Sequence, residues 1–96
     1  MRQRYIVTYD ICDPKRLRAV FFTMKGYGDH LQYSVFSCDL TLMGLATLKG
    51  DLLRVLDARV DQVLFIDLGP TDGRGREAVE SLGRGVEQFP DGAVIL

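Results

Sequence analysis

Tyr5-Ile6-Val7-Thr8-Tyr9-Asp10-Ile11-Cys12-Asp13-Pro14-Lys15-Arg16-Leu17-Arg18 decides how the rest of the chain is read. Its first five residues are β-branched, aromatic or apolar and predict a strand. Asp13-Pro14 then marks a helix start, with aspartate at the N-cap and proline at the first helical position. Asp10 falls in the turn between the two elements, where a carboxylate faces a ligand more readily than a core. Lys15, Arg16 and Arg18 surround it with groups that bind phosphate. An acid encircled by bases is the layout of a metal-assisted phosphodiester site.

Leu17, Val20, Phe21 and Met24 recur at helical spacing, and Gly26 and Gly28 are expected to end the helix through a left-handed cap. Leu31 to Cys38 reads as one strand. Thr41 caps a second helix over roughly residues 42–57, with Leu45, Leu48, Leu52 and Val55 as its apolar stripe. Gly44 and Gly50 weaken that helix, so packing must hold it. Asp61 to Leu68 is a further strand whose centre, Val63-Leu64-Phe65-Ile66, is apolar on both faces. A polar, glycine-rich loop spans Gly69 to Arg76. Glu77 to Leu82 fits a short strand or a helical turn, and Ala93 to Leu96 a short strand at the C-terminus.

The expected architecture is a single α+β domain over residues 1–96, a βαββαβ unit with both helices on one face of an antiparallel sheet and a short C-terminal strand added. Two helices cannot cover two faces. A second copy of the sheet is the simplest cover for the other, which predicts a homodimer through the sheet faces. Tyr9, alternating away from Asp10, is assigned to that dimer core.

Composition bounds the function. Hydrophobic residues make up 47% of the chain, too many for a disordered segment. Apolar runs are far shorter than a membrane span, no apolar signal core opens the chain, and the expected location is the cytoplasm. Cys12 and Cys38 are too few for a disulfide scaffold and lack metal-binding spacing; Cys12 as a nucleophile would need His30 beside it. The net charge of −1 does not suggest a nucleic-acid binder, but its distribution does. The first 25 residues hold six basic and two acidic side chains, and the remainder six basic and eleven acidic. The basic field therefore sits around Asp10. A solvated amphipathic helix accounts for the same charges without a ligand. Gly73, Gly75 and Ala78 fit a dinucleotide fingerprint, yet too little chain follows for its helix, strand and acid. Met24 and Met43 read as core fillers.

Tyr9-Asp10-Ile11 with Asp13, Arg16 and Arg18 on the next helix, Gln32-Tyr33-Ser34-Val35-Phe36, and Leu82-Gly83 ahead of a C-terminal strand together carry a resemblance. The chain resembles the small ferredoxin-like nuclease family of CRISPR spacer acquisition, over nearly its whole length. The resemblance implies a homodimer of ferredoxin-like protomers in which Asp10 of each copy shares a divalent metal across the twofold axis. It also implies RNA or double-stranded DNA as substrate and a CRISPR integrase subunit as partner. Tyr9, Arg16, Arg18 and Phe36 match positions the family associates with its site. His30 stands where the family often has arginine, so a phosphate contact there would depend on pH.

One Asp10 per protomer, doubled by symmetry, suits magnesium, or manganese in its place, because such ions take one or two carboxylates and keep several waters. Without metal the two carboxylates would repel. Asp13 is explained by its capping role, with metal ligation as the alternative. Arg16 and Arg18 are expected to grip phosphates. Phe36 is either a base-stacking residue or a packed strand aromatic. Two other readings stand beside the nuclease: a non-catalytic DNA-binding scaffold for spacer integration, and a toxin-type ribonuclease on the same fold.

Overall fold

The computed structural model describes residues 1–84. Its elements are β1 (Gln3–Asp10), α1 (Pro14–Lys25), β2 (Asp29–Gln32), β3 (Val35–Leu40), α2 (Leu42–Val55) and β4 (Gln62–Pro70), followed by a short 3-10 turn, Arg74–Arg76. The four strands form one antiparallel sheet in the order β2-β3-β1-β4. This is the βαββαβ, ferredoxin-like arrangement expected from the sequence. The short strand expected at Ala93–Leu96 lies outside the described residues. Glu77 to Leu82 forms neither a strand nor a helical turn.

β1 organises the molecule because it pairs on both edges, with β3 from Gln3↔Leu40 to Thr8↔Val35 and with β4 from Gln3↔Pro70 to Asp10↔Gln62. Strand alternation then sorts its side chains. Tyr5, Val7 and Tyr9 are buried with Phe36, Cys38 and Leu40 of β3. Val20, Phe21 and Met24 of α1 and Leu48 and Leu52 of α2 complete this core, so both helices cover one face. Burial pushes the Cys38 thiol up to about 12. Ile6, Thr8, Leu64 and Ile66 lie on the other face. Leu64 and Ile66 are nearly half exposed.

Two sequence expectations about this core are corrected. Tyr9 belongs to the helix-covered side, stacked on Phe36 with ring centroids 6.3 Å apart, and not to the open face. Met43 is 80% exposed, because residues 45, 48, 52 and 55 turn inward and carry Met43, Leu42 and Leu53 to the outer side of α2.

Capping proceeds as read. The Asp13 carboxylate accepts the Arg16 backbone N–H at 2.9 Å, and the Thr41 hydroxyl accepts that of Gly44 at 3.0 Å. The C-terminus of α1 differs. Gly26 is right-handed, with φ −77°, and the Gly26, Tyr27 and Gly28 N–H groups bond back to the carbonyls of Thr23 and Met24. Gly28 is required for close approach instead: a Cβ there would lie 2.4 Å from the Ser37 carbonyl oxygen and 2.5 Å from Cys38 Sγ.

The stretch read as one strand, Leu31–Cys38, is a hairpin. The chain reverses over Tyr33 and Ser34, and Gln32 pairs with Val35. Tyr33 takes φ +29°, the one positive φ at a non-glycine among the described residues. Beyond β4, the chain folds back under β1: Gly69 takes φ +96°, and Gly75 is buried against the Arg4 side chain. Arg4 holds Asp39 through two bonds of 2.7 and 2.9 Å and also donates to the Gly75 carbonyl at 3.2 Å. The Arg4 guanidinium holds the Asp39 carboxyl below its usual range.

Gly28→Ala should cost about 1–3 kcal/mol, the ordinary cost of overpacking a close contact. A urea melt checks this; an unchanged midpoint would contradict the reading of Gly28 as a close-approach residue.

Candidate active site and nucleic-acid surface

The candidate site forms at the sheet end where β1 stops, α1 begins and β2 turns into β3. Asp10 is the last residue of β1 and is exposed. Its parity with Ile6 and Thr8 puts it on the open sheet face, at the rim of the apolar patch. Among the described residues its carboxylate has no hydrogen-bond or ion-pair partner, and no group of three or more metal-ligating side chains forms within one chain. Asp13 stands three residues on, its carboxylate engaged at the helix cap.

What fixes this turn is a residue the sequence analysis did not single out. The Asp61 side chain is fully buried and accepts four hydrogen bonds. Arg16 donates Nε at 2.7 Å and Nη2 at 3.2 Å. The backbone N–H groups of Cys12 and Asp57 donate at 2.9 Å each. Asp61 thus ties the β1–α1 turn to the loop between α2 and β4. The Arg16 guanidinium, followed by the Cys12 N–H, holds its carboxyl well below the usual carboxylate range. The Cys12 thiol donates to the Val60 carbonyl at 3.1 Å, reinforcing the same junction.

Arg16 is therefore not the open phosphate grip that the sequence led us to expect: its Nε and Nη2 are taken by Asp61. Arg18 lies two residues further along, on the other side of α1, exposed, with no hydrogen bond or ion pair among the described residues. Lys15, Phe22 and Lys25 share its side of α1, since residues 15, 18, 22 and 25 recur at helical spacing. Phe22 is 55% exposed and meets Phe21 edge-on at 5.6 Å. This basic stripe with an aromatic residue is the surface best suited to a nucleic-acid backbone.

Phe36 is corrected as a base-stacking residue. It is completely buried between Tyr9, Phe21 and His30 and has no free face to offer a base. The Tyr9 phenol, on the same side, is pushed up to about 12 by burial. His30 packs its ring 5.1 Å from Phe21 and 4.9 Å from Phe36 and donates Nε2 to the Tyr33 carbonyl at 2.7 Å. It braces the hairpin, in contrast to the phosphate contact expected from sequence. Cys12 and His30 bond to different segments, so no thiol–imidazole pair forms between them.

A model of the family described as "CRISPR associated protein Cas2" matches residues 1–74. The chain is 46% identical to "CRISPR-associated endoribonuclease Cas2 1" of Rhodospirillum rubrum, over 96% of this chain and 89% of the relative. It is 35% identical to "CRISPR-associated endoribonuclease Cas2" of Geobacter sulfurreducens over the full length of both. Its structure resembles the crystal structure of Streptococcus pyogenes Cas2 at pH 6.5 with TM-score 0.71 and 35% identity, covering 83% of this chain and 99% of that one. These relatives do not favour the toxin reading.

Two outcomes separate the arginines. Arg16→Met should lower the urea midpoint, and combining it with Asp61→Asn should cost less than the sum of the two single losses, because the pair acts as a unit. Arg18→Glu should leave the midpoint unchanged and weaken nucleic-acid binding alike for all sequences, with a shallower salt dependence. Full additivity in the first case, or loss of one sequence only in the second, would contradict these roles. The pH dependence has a definite sign. Asp61 is held below the value of an unfolded aspartate, so its contribution to stability is complete above about pH 4 and is lost as pH falls further. Asp61→Asn should therefore flatten the acid limb of a stability profile. An acid limb unchanged in this variant would exclude the role. From the family match and the full-length relatives together, the chain belongs to the CRISPR-associated protein Cas2 family.

Proposed function

We propose that this chain is a divalent-metal-dependent endonuclease of CRISPR spacer acquisition, acting as a homodimer with Asp10 of each copy at one shared site. The observation that carries this reading is the position of Asp10: an exposed carboxylate without a partner among the described residues, at the rim of an apolar sheet face and just ahead of the basic helix α1 in the chain. Ile6, Leu64 and Ile66 give a second copy an apolar surface to cover. A twofold axis near the Asp10 end of that face would bring the two carboxylates together. The names of the relatives, endoribonuclease in both cases, support the chemistry.

The residues fit a magnesium or manganese ion. Asp10 offers a hard oxygen donor that no cation among the described residues occupies, and two such carboxylates match an ion that keeps most of its waters. Asp13 is spent on the helix cap and is left out of the ligand set. A bound ion there supplies charge stabilisation to the scissile phosphate and an activated water. Asp10 holds and orients that centre, while Arg18 and Lys15 position the sugar–phosphate backbone. RNA is the substrate that the relatives' names favour, with double-stranded DNA as the other candidate. The integrase subunit as a further partner rests on family membership.

Asp10→Asn should abolish cleavage and leave the dimer intact by light scattering, since the amide is isosteric but carries no charge. Nucleic-acid binding should survive or tighten, because negative charge leaves a basic neighbourhood. Full-rate cleavage by this variant would place the active site elsewhere. Absence of cleavage by the unmutated chain, with DNA binding intact, would favour the scaffold.

A further inference from the structure

We propose that Tyr33 is a stacking platform for an unpaired base of the substrate strand beside Asp10; this rests on the nuclease reading of the same site. Folding does not account for the residue. A two-residue hairpin turn favours glycine, asparagine or aspartate where φ is positive, and a bulky aromatic at φ +29° is strained. The ring brings no compensation from the core. It is 66% exposed, and among the described residues it makes no ring contact and its hydroxyl no hydrogen bond. Strained residues held by a well-determined surrounding concentrate at functional sites.

The surrounding is well determined. His30, wedged between Phe21 and Phe36, donates Nε2 to the Tyr33 carbonyl at 2.7 Å. The Tyr9 N–H donates to the Ser34 carbonyl at 3.1 Å and holds the other half of the turn against β1. The backbone under the ring is therefore fixed, and a base that stacks there meets a pre-placed surface.

Register places the turn that carries Tyr33 at the Asp10 end of the sheet. Thr8 pairs with Val35, and Tyr9 bonds to Ser34. Tyr33 precedes Ser34 in that turn, at the end of the sheet where β1 stops at Asp10. Arg18 and Lys15 flank the same end from the first turns of α1. A strand whose phosphates follow α1 and whose scissile phosphate reaches Asp10 would have an adjoining base over Tyr33. Only an unpaired base can offer its face, so duplex DNA gains nothing from this contact.

The test uses a single-stranded RNA oligonucleotide carrying one 2-aminopurine, with chelator present so that binding is read without cleavage. Stacking on Tyr33 quenches the probe. Tyr33→Phe should bind and quench like the parent chain. Tyr33→Leu should weaken binding roughly 5- to 100-fold and lose the quenching, with duplex DNA binding unchanged. Tyr33→Gly relieves the positive φ and should keep a urea midpoint at least as high as the parent's while losing RNA affinity, which separates stacking from fold maintenance. Unchanged affinity and quenching in Tyr33→Leu, or no RNA binding by the parent, would overturn the proposal. If the parent cleaves RNA through Asp10 and Tyr33→Leu binds normally, stacking fails alone. If the parent binds and quenches the RNA but cleaves nothing once metal is restored, stacking stands and the nuclease reading fails.

Discussion

The buried carboxylate of Asp61 is the constraint on which the candidate site depends. Four N–H donors from three segments converge on it: two from Arg16, one from Cys12 and one from Asp57. A carboxylate without exposed surface is tolerable only when its lone pairs are filled, and here they are. The bonds fix where β1 ends, how α1 departs and how the chain re-enters β4. Asp10 sits between the parts so fixed and needs no bond of its own to be held. Among the described residues the fold thus leaves the Asp10 carboxylate without an ion pair, just ahead of a basic helix, and satisfies Asp61 completely.

The sheet shows the same division between satisfied and open surfaces. Both helices lie on the side of Tyr5, Val7 and Tyr9, and the aromatic cluster of Tyr9, Phe21, His30 and Phe36 fills the space beneath α1. Ile6, Thr8, Leu64 and Ile66 remain on the other side. Arg4 and Asp39 pair at one end of this face, and Asp10 and Gln62 lie at the other. An apolar centre with one neutralised end and one charged end is suited to a symmetric partner that returns the missing charge partner through a cation.

Local signals made much of this legible in sequence. The Asp13-Pro14 cap, the Thr41 cap and the apolar run of β1 each act over a few residues, and each element forms where read. Asp10 followed from β1 and the cap together. The hairpin at Tyr33–Ser34 was missed because its turn lacks glycine and asparagine, and because Tyr33, Val35 and Phe36 are all strand-forming residues. Arg16 and Asp61 are 45 residues apart in sequence, and no local pattern couples them. Phe36 was ambiguous for a related reason: strand alternation shows that it shares a face with Cys38 and Leu40, but which face the helices cover is a tertiary fact. Met43 was misplaced because α2 carries apolar residues on two sides, so periodicity alone does not choose the buried one.

The central claim is that two copies of Asp10 form one cation site, and the stoichiometry of manganese binding tests it most directly. Titration followed by electron paramagnetic resonance should show one tightly held ion per two chains, abolished in Asp10→Asn while the dimer persists. One ion per chain, or binding that survives Asp10→Asn, would contradict the account.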